Sequence, residues 1–210
     1  METVPRLSGR RAQAIRNDQL ILDAARDVFV TDPTAPISAV AERARVGISA
    51  LYRRYASKEE LLRLLSLDGL HRYIAAAEAA LADQGDPWAA FAEFMRRVVE
   101  EDTHSLTLRL AGTFTPTEEL YREANRAQEL NVRLFDRTRA ADAIRPDVEV
   151  NDIALILEQL AAIRVHDQHR THQLRHRYLA LLLDGLRPGP AEPLPGAPPT
   201  WTEISERWSG

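Results

Sequence analysis

Residues 36–61 read PISAVAERARVGISALYRRYASKEEL, and this stretch decides the fold. Pro36 suits the first position of a helix, where a missing N–H costs nothing, and it opens a short segment to Ala44. Arg45-Val46-Gly47 makes a tight turn, and Ile48 to Tyr55 forms a second short helix. Two short helices around a glycine-containing turn are the helix-turn-helix shape. Ser57-Lys58-Glu59-Glu60 is a capping box, with Ser57 as N-cap and Glu60 reaching back, and a long helix runs from it to about Ala82.

The same grammar continues outward. Upstream, Asn17 to Val30 carries Ile21, Ala24, Ala25, Val28 and Phe29 at helical spacing, one apolar stripe that Asp32-Pro33 stops. Downstream, Asp86 supplies an N-cap and Pro87 the first helical residue of a segment to about Asp102, with Phe91, Phe94, Met95 and Val98 on its apolar face. A shorter helix is expected over Ser105 to Gly112. Thr115-Pro116-Thr117-Glu118 reads as another capping box, opening a helix to about Ala141, and Arg145-Pro146-Asp147 breaks the chain again. Two apolar segments follow, Asp152 to Ile163 and Leu174 to Leu186, the second closed by Gly185 and Pro188. Ala, Leu, Arg and Glu fill the stretches between these joints and no strand pattern competes, so the expected fold is all-α.

At 210 residues, 45% hydrophobic and 28% charged, the chain can bury a core of its own. It has no cysteine, which excludes disulfides, thiolate metal sites and a cysteine nucleophile. The charged start of the sequence has no apolar core of a signal peptide and no run of apolar residues is long enough to span a bilayer, so a cytoplasmic, non-membrane protein is expected. The net charge of −4 is unevenly spread. Residues 1–63 hold 11 basic against 8 acidic side chains, whereas the remainder is acidic, which suggests a polyanion-binding end joined to an acidic body.

The last two long helices are apolar on more than one side. Ile153, Leu155, Ile156, Leu157, Leu160 and Ile163 cover most of one circumference, and the run from Tyr178 to Leu183 does the same on the other. Such helices need covering from two directions, and a second copy of the chain acting through residues 152–163 and 174–186 is the expected cover. Six of the 12 prolines lie between Pro188 and Pro199, a linker with polyproline character. Beyond it, Thr200-Trp-Thr-Glu203 is a capping box, and Trp201, Ile204 and Trp208 recur at helical spacing. Two readings of this tail stay open: a short helix over Thr200 to Trp208 docked on the body or its partner with both indoles shielded, or a solvated end.

The segment from Ala41 to Tyr55, followed by Ser57-Lys-Glu-Glu-Leu61, resembles the DNA-binding signature of the TetR family of bacterial transcriptional repressors. Order, spacing and the helix that follows all agree, and the resemblance extends more loosely to residue 188 through Ile144-Arg-Pro-Asp147 and the run from Tyr178 to Pro188. Three positions depart from the family pattern: Arg45 stands where the turn glycine is usual, Ala50 where threonine is, and Tyr55 where phenylalanine is. Arg45 either strains the turn or takes a positive φ that arginine tolerates poorly. The resemblance implies a ligand-responsive repressor that binds an inverted-repeat DNA operator as a homodimer and leaves it when a small-molecule effector favours a wrongly spaced pair of heads.

A recognition helix needs small or apolar side chains near its start to approach base edges, then cations and hydroxyls for the flanking phosphates. Gly47 and Ser49 let the backbone come close, Ile48 and Ala50 suit thymine methyls, and Arg53 suits either a guanine or a phosphate. Tyr52, Arg54 and Lys58 are assigned to phosphates, Ser38 is a further candidate on the supporting helix, and Arg10 with Arg11 forms a flexible basic arm. Leu51 and Tyr55 belong to the core. Candidate walls of an effector pocket are Phe91, Phe94, Met95, His104, Leu110 and Phe114, against the plainer reading that aromatics at helical spacing are core.

His166, His169, His172 and His176 would line one face of a continuous helix and so suit a divalent metal, but their strongly polar segment between two apolar helices reads better as a solvated connection. His71 and His104 read as ordinary core or surface histidines. No carboxylate pair, Ser/His/Asp arrangement or phosphate-binding glycine loop is present, so neither an enzyme, a cofactor nor a metal is expected. The expected organisation is a DNA-binding head over residues 12–56, a regulatory and dimerisation body over 57–187, and a tail over 188–210. The alternatives are a metal-binding helical sensor using the histidines, or a protein-interaction module without operator binding.

Overall fold

The structure is a computed structural model and describes residues 9–103, 110, 112–190 and 192–206, with side chains from Asn17 to Ile204. Nine helices occur among these residues: α1 (Gly9–Thr31), α2 (Ile37–Arg43), α3 (Ile48–Tyr52), α4 (Lys58–Ala82), α5 (Pro87–Glu100), α6 (Glu118–Ala140), α7 (Val150–Ala162), α8 (Gln168–Leu186) and α9 (Trp201–Glu206). No strand occurs among them, and the fold is all-α. The chain divides into two compact units between Leu65 and Ser66, and α4 runs through the division.

In the first unit α1 packs on α2 and α2 on α3. Ile21, Ala25 and Phe29 from α1 are buried with Val40, Leu51, Tyr55 and Leu61. Helix α1 begins eight residues earlier than its apolar stripe predicts, so the backbone of Arg10 and Arg11 is helical rather than a flexible arm. Pro36 proves to be the N-cap of α2, not its first helical residue. Helix α3 is shorter than expected: Arg53 is its C-cap, and the N–H groups of Arg54 and Tyr55 both turn back to the Leu51 carbonyl. That tightening swings Tyr55 into the core, where it is 3% exposed. The cap of α4 is present in a shifted form. Ser57 Oγ accepts from Glu60 N at 3.1 Å, while the Glu60 carboxylate accepts from the N–H of Ala56 at 2.6 Å.

The second unit is built around α5. It packs against α6, α7 and α8, and Phe91, Phe94, Met95 and Val98 lie at the centre of a core completed by Ile74 and Ala77 of α4, Leu134 and Phe135 of α6, Ile153 and Leu160 of α7, and Leu179 of α8. Asp86 caps α5 through its bond from Trp88 N, with Pro87 next in the chain, as its sequence dictates. The cap of α6 is Thr117, not Thr115: its hydroxyl accepts from Leu120 N, which brings Glu118 and Glu119 into the first turn beside the helix's positive end. Helix α7 opens on a reciprocal box between Glu149 and Asp152.

Helix α8 departs most from expectation. It starts at Gln168, six residues before the apolar run, with Asp167 as its N-cap, so residues 168–173 are helical instead of a solvated connection. Gly185 lies inside it, and the helix stops at Leu186 before Pro188. The proline segment returns along the body. Arg145 donates to the Glu192 carbonyl, Leu194 N donates to Asp147, and Asn151 donates to the Pro199 carbonyl. Helix α9 then packs on α7 with Ile204 only 3% exposed, behind a Thr200/Glu203 cap. The expectation that both tail indoles are shielded is corrected for Trp201, which is half exposed because α9 turns Ile204 inward; Trp208 lies outside the described residues.

Candidate functional site

The turn between α2 and α3 is a Schellman motif. Val46 N donates to the Ala41 carbonyl at 2.9 Å and Arg45 N to the Glu42 carbonyl at 3.1 Å, which forces Arg45 to a φ of 56°. This is the conformation for which glycine is usual, here taken by arginine. It seats α3 by one fully buried residue, Leu51, and leaves Gly47, Ile48, Ser49, Tyr52 and Arg53 exposed, with Ala50 half-buried. Ser38 is exposed on α2.

The cations here fall into two sets. Arg54 forms an ion pair with Asp18 of α1, and Arg43 pairs with Asp27 at 2.5 Å. Lys58 turns inward: its ammonium donates to the carbonyls of Pro33 at 3.0 Å and Ala35 at 2.7 Å and sits 5.1 Å from the centre of the Phe29 ring. It thereby fastens the loop between α1 and α2, a role with no local sign in the sequence. Arg53 is exposed and its guanidinium has no intramolecular partner among the described residues.

In the body, Phe91 and Met95 are fully buried, Phe94 packs edge-on against Tyr73 with ring centres 5.2 Å apart, Leu110 is buried and Phe114 is half-buried. His104 lies outside the described residues. A small, partly open pocket between Val98, Leu157, Leu160 and Arg175 holds about 10 Å³, room for no more than one water. Asn131 of α6 is buried with its Oδ1 unmet by any hydrogen bond among the described residues, a polar position that apolar patterning concealed. His71 is exposed, 3.9 Å from Glu123.

The histidine segment divides. His166 and His169 are exposed, whereas His172 and His176 face the end of α5. Their Nε2 atoms lie 2.7 and 2.8 Å from the same oxygen of Glu100. Partial burial pushes the Glu100 carboxyl up, but the bond from His172 and the nearness of both rings outweigh it and hold the group below its usual range. Beside them the buried Arg175 of α8 joins the ends of α5 and α7, donating to Asp102 at 2.5 Å and to the carbonyls of Ile163 and Ala161.

A helix-turn-helix unit followed by a separate helical unit defines a class of DNA-binding regulators, and the comparisons with known proteins agree. Residues 21–65 match the family model for bacterial regulatory proteins of the tetR family, and residues 86–188 match the C-terminal domain of SbtR-like transcriptional regulators. The chain belongs to the TetR family of transcriptional regulators, DNA-binding proteins and not enzymes. A TetR regulator of Streptomyces coelicolor, SCO0520, is 26% identical with a TM-score of 0.60 over 81% of this chain and 98% of its own. A TetR regulatory protein of Mycobacterium vanbaalenii is 26% identical with a TM-score of 0.59 over 85% and 99%. The regulator LfrR of Mycobacterium smegmatis, solved with proflavine, shares the fold at 22% identity and a TM-score of 0.57 over 83% and 99%. No protein with a curated description matches the chain. No helix among the described residues is long and apolar enough to cross a membrane.

Proposed function

We propose that this DNA-binding regulator is a cytoplasmic, effector-responsive repressor that grips an inverted-repeat operator as a homodimer. The observation that carries the reading is the outward face of α3, where Gly47, Ile48, Ser49, Tyr52 and Arg53 stand exposed on a helix anchored by Leu51. In this reading Ile48 and Ala50 meet base edges, Arg53 takes a guanine or phosphate, and Ser38, Ser49 and Tyr52 give hydroxyls to phosphates. Arg54 acts beside its ion pair with Asp18, and Lys58 acts from its two carbonyl bonds with one ammonium donor left for a phosphate. If two heads neutralise about six phosphates, log K falls against log salt with a slope of about −5. Selection of binding sites from a random duplex pool tests this: an inverted repeat is expected, with sequence preference relaxed by Arg53→Ala, and a pool that yields no enriched sequence overturns it.

Dimerisation is supported by one face of α8. Tyr178 and Leu181 are 48% and 59% exposed, with Leu182 and Gly185 on the same stripe, and a Cβ built on Gly185 would meet open space. Leu181→Glu buries a charge in the proposed interface and should give monomers in sedimentation where the unmodified chain gives dimers. Because Leu182 also packs against the core, Leu181 is the cleaner choice. The body is the proposed effector site, its walls drawn from Phe91, Phe94, Met95, Leu110 and Phe114, with Asn131 Oδ1 as the acceptor a polar ligand group would satisfy. An effector acts by its difference in affinity between two arrangements of the heads, and no covalent step is involved.

A further inference from the structure

We propose that Glu100, His172 and His176 form a binding site for one divalent transition-metal ion of the zinc class, clamping the end of α5 to α8. The three residues come from parts of the chain about seventy positions apart, and one ligand atom of each lies within 4.8 Å of the other two. His172 and His176 are spaced i, i+4, which stacks their rings on one face of α8, with centres 4.4 Å apart, and aims both Nε2 atoms at a single carboxylate oxygen. His172 makes a 2.7 Å hydrogen bond to that oxygen. His176 does not: its Nε2 is shut off from solvent and lies 2.8 Å from the oxygen, outside hydrogen-bond alignment. This buried nitrogen has no hydrogen-bond partner, and in the neutral tautomer with its proton on Nδ1 it offers a lone pair to a metal ion.

Ligand–ligand distances in a tetrahedral site with bonds of about 2.0 to 2.1 Å are about 3.3 Å, so an ion enters by parting these groups by about half an ångström. Glu100 is the last residue of α5, where the helix carbonyls add partial negative charge. The neighbouring cation Arg175 is engaged with Asp102 and two carbonyls, and that contact holds α8 in register beside α5. Two imidazole nitrogens and one carboxylate favour zinc, cobalt or nickel over magnesium or calcium, which prefer all-oxygen sites. Three protein ligands leave a position for water, and the exposure of Glu100 gives the ion a way in.

The test uses the untagged full-length chain stripped with a chelator and titrated calorimetrically with zinc, with cobalt absorption reporting coordination by nitrogen. One ion per chain is expected, together with a higher Tm. His172→Ala, His176→Ala and Glu100→Gln should each weaken binding at least about 100-fold, because loss even of a group supporting a ligand costs roughly 10- to 100-fold. His169→Ala, on the same helix but exposed, should change nothing, and magnesium should not compete. Glu100→Gln keeps the side-chain volume, so a loss of binding with unchanged circular dichroism is separable from misfolding. No binding by the unmodified chain, or equal binding by the His172→Ala/His176→Ala double variant, overturns the proposal. Neither outcome bears on operator binding, since the titration contains no DNA.

Discussion

The head and the body of this regulator use the same device, a cation donating to backbone carbonyls at a joint, in different surroundings. In the head, Lys58 reaches the Pro33 and Ala35 carbonyls while half-buried and close to water. In the body, Arg175 is 5% exposed and holds the Ile163 and Ala161 carbonyls and the Asp102 carboxylate together. Water can replace the lost partner in the first place far more readily than in the second. The body is therefore locked by buried polar contacts, whereas the head is fastened by contacts that exchange with solvent and, in the proposed complex, with phosphate.

The sharpest break of that contrast is Arg175→Met, which keeps the stem and deletes the charge. Two carbonyls and Asp102 lose their partner, and about 3 kcal/mol of stability should go, the low end for a broken buried pair because Asp102 retains some access to water. Urea unfolding followed by circular dichroism measures it; a loss below about 1 kcal/mol would place Arg175 with the solvent-exchanging contacts. Lys58→Met comes next. It removes two bonds from a charged donor and a contact over Phe29, and about 2 kcal/mol is expected. The same variant separates structure from DNA contact, because a direct phosphate role also lowers the salt slope of operator binding by about one.

The tail gives a pH-dependent version of the comparison. Asp147 is held well below the usual carboxylate range, first by the Arg145 guanidinium and then by the N–H of Leu194 in the proline segment. Glu203 is likewise lowered by the Thr200 N–H and hydroxyl that cap α9. A depressed folded pKa means that the contribution is fully present above the unfolded value of about 4 and is lost progressively as pH falls from there through the lower folded value. Acid should therefore release the tail before it unfolds the core, and Asp147→Asn should weaken docking at neutral pH. Proteolysis between residues 188 and 200 as a function of pH reads this out; cleavage that is equally slow at pH 3 and pH 7 would contradict it.

What the sequence revealed follows physical lines. Motifs closed within four residues were legible: the Asp86-Pro87 start of α5, the Ser57/Glu60 pair, the Thr200/Glu203 cap and the turn at Arg45. The exposure of the α3 face was legible too, since the spacing that buries Leu51 leaves Ile48, Ser49, Tyr52 and Arg53 outward. The early start of α8 was not, because residues 168–173 are polar and have no apolar stripe. Their helix is stabilised by Asp167 and by Glu100 and Asp102, two acids some seventy residues away. Asp167 three residues before Arg170 was the local sign of that cap. Lys58 was missed for a related reason: a lone lysine on a basic head suggests phosphate, and only the fold brings two carbonyls beneath it.

The smallest expected effect is a gain. Arg45 holds a φ of 56°, where a Cβ crowds the backbone at a cost of about 1 to 2 kcal/mol relative to glycine. Arg45→Gly relieves that strain but adds freedom to the unfolded chain, so the net stabilisation should be about 0.5 to 1 kcal/mol, seen as a rise in the midpoint of urea unfolding. The head tolerates the strain because two backbone bonds and the burial of Leu51 fix the turn regardless of the side chain. The Arg45 guanidinium is exposed and has no partner among the described residues, so a phosphate of the proposed operator is the contact to test for it. Measuring operator affinity alongside stability divides the two roles. A more stable variant with weaker, less salt-sensitive binding makes Arg45 a phosphate contact that the turn holds under strain; a more stable variant with unchanged binding leaves the arginine as strain without a function at the operator.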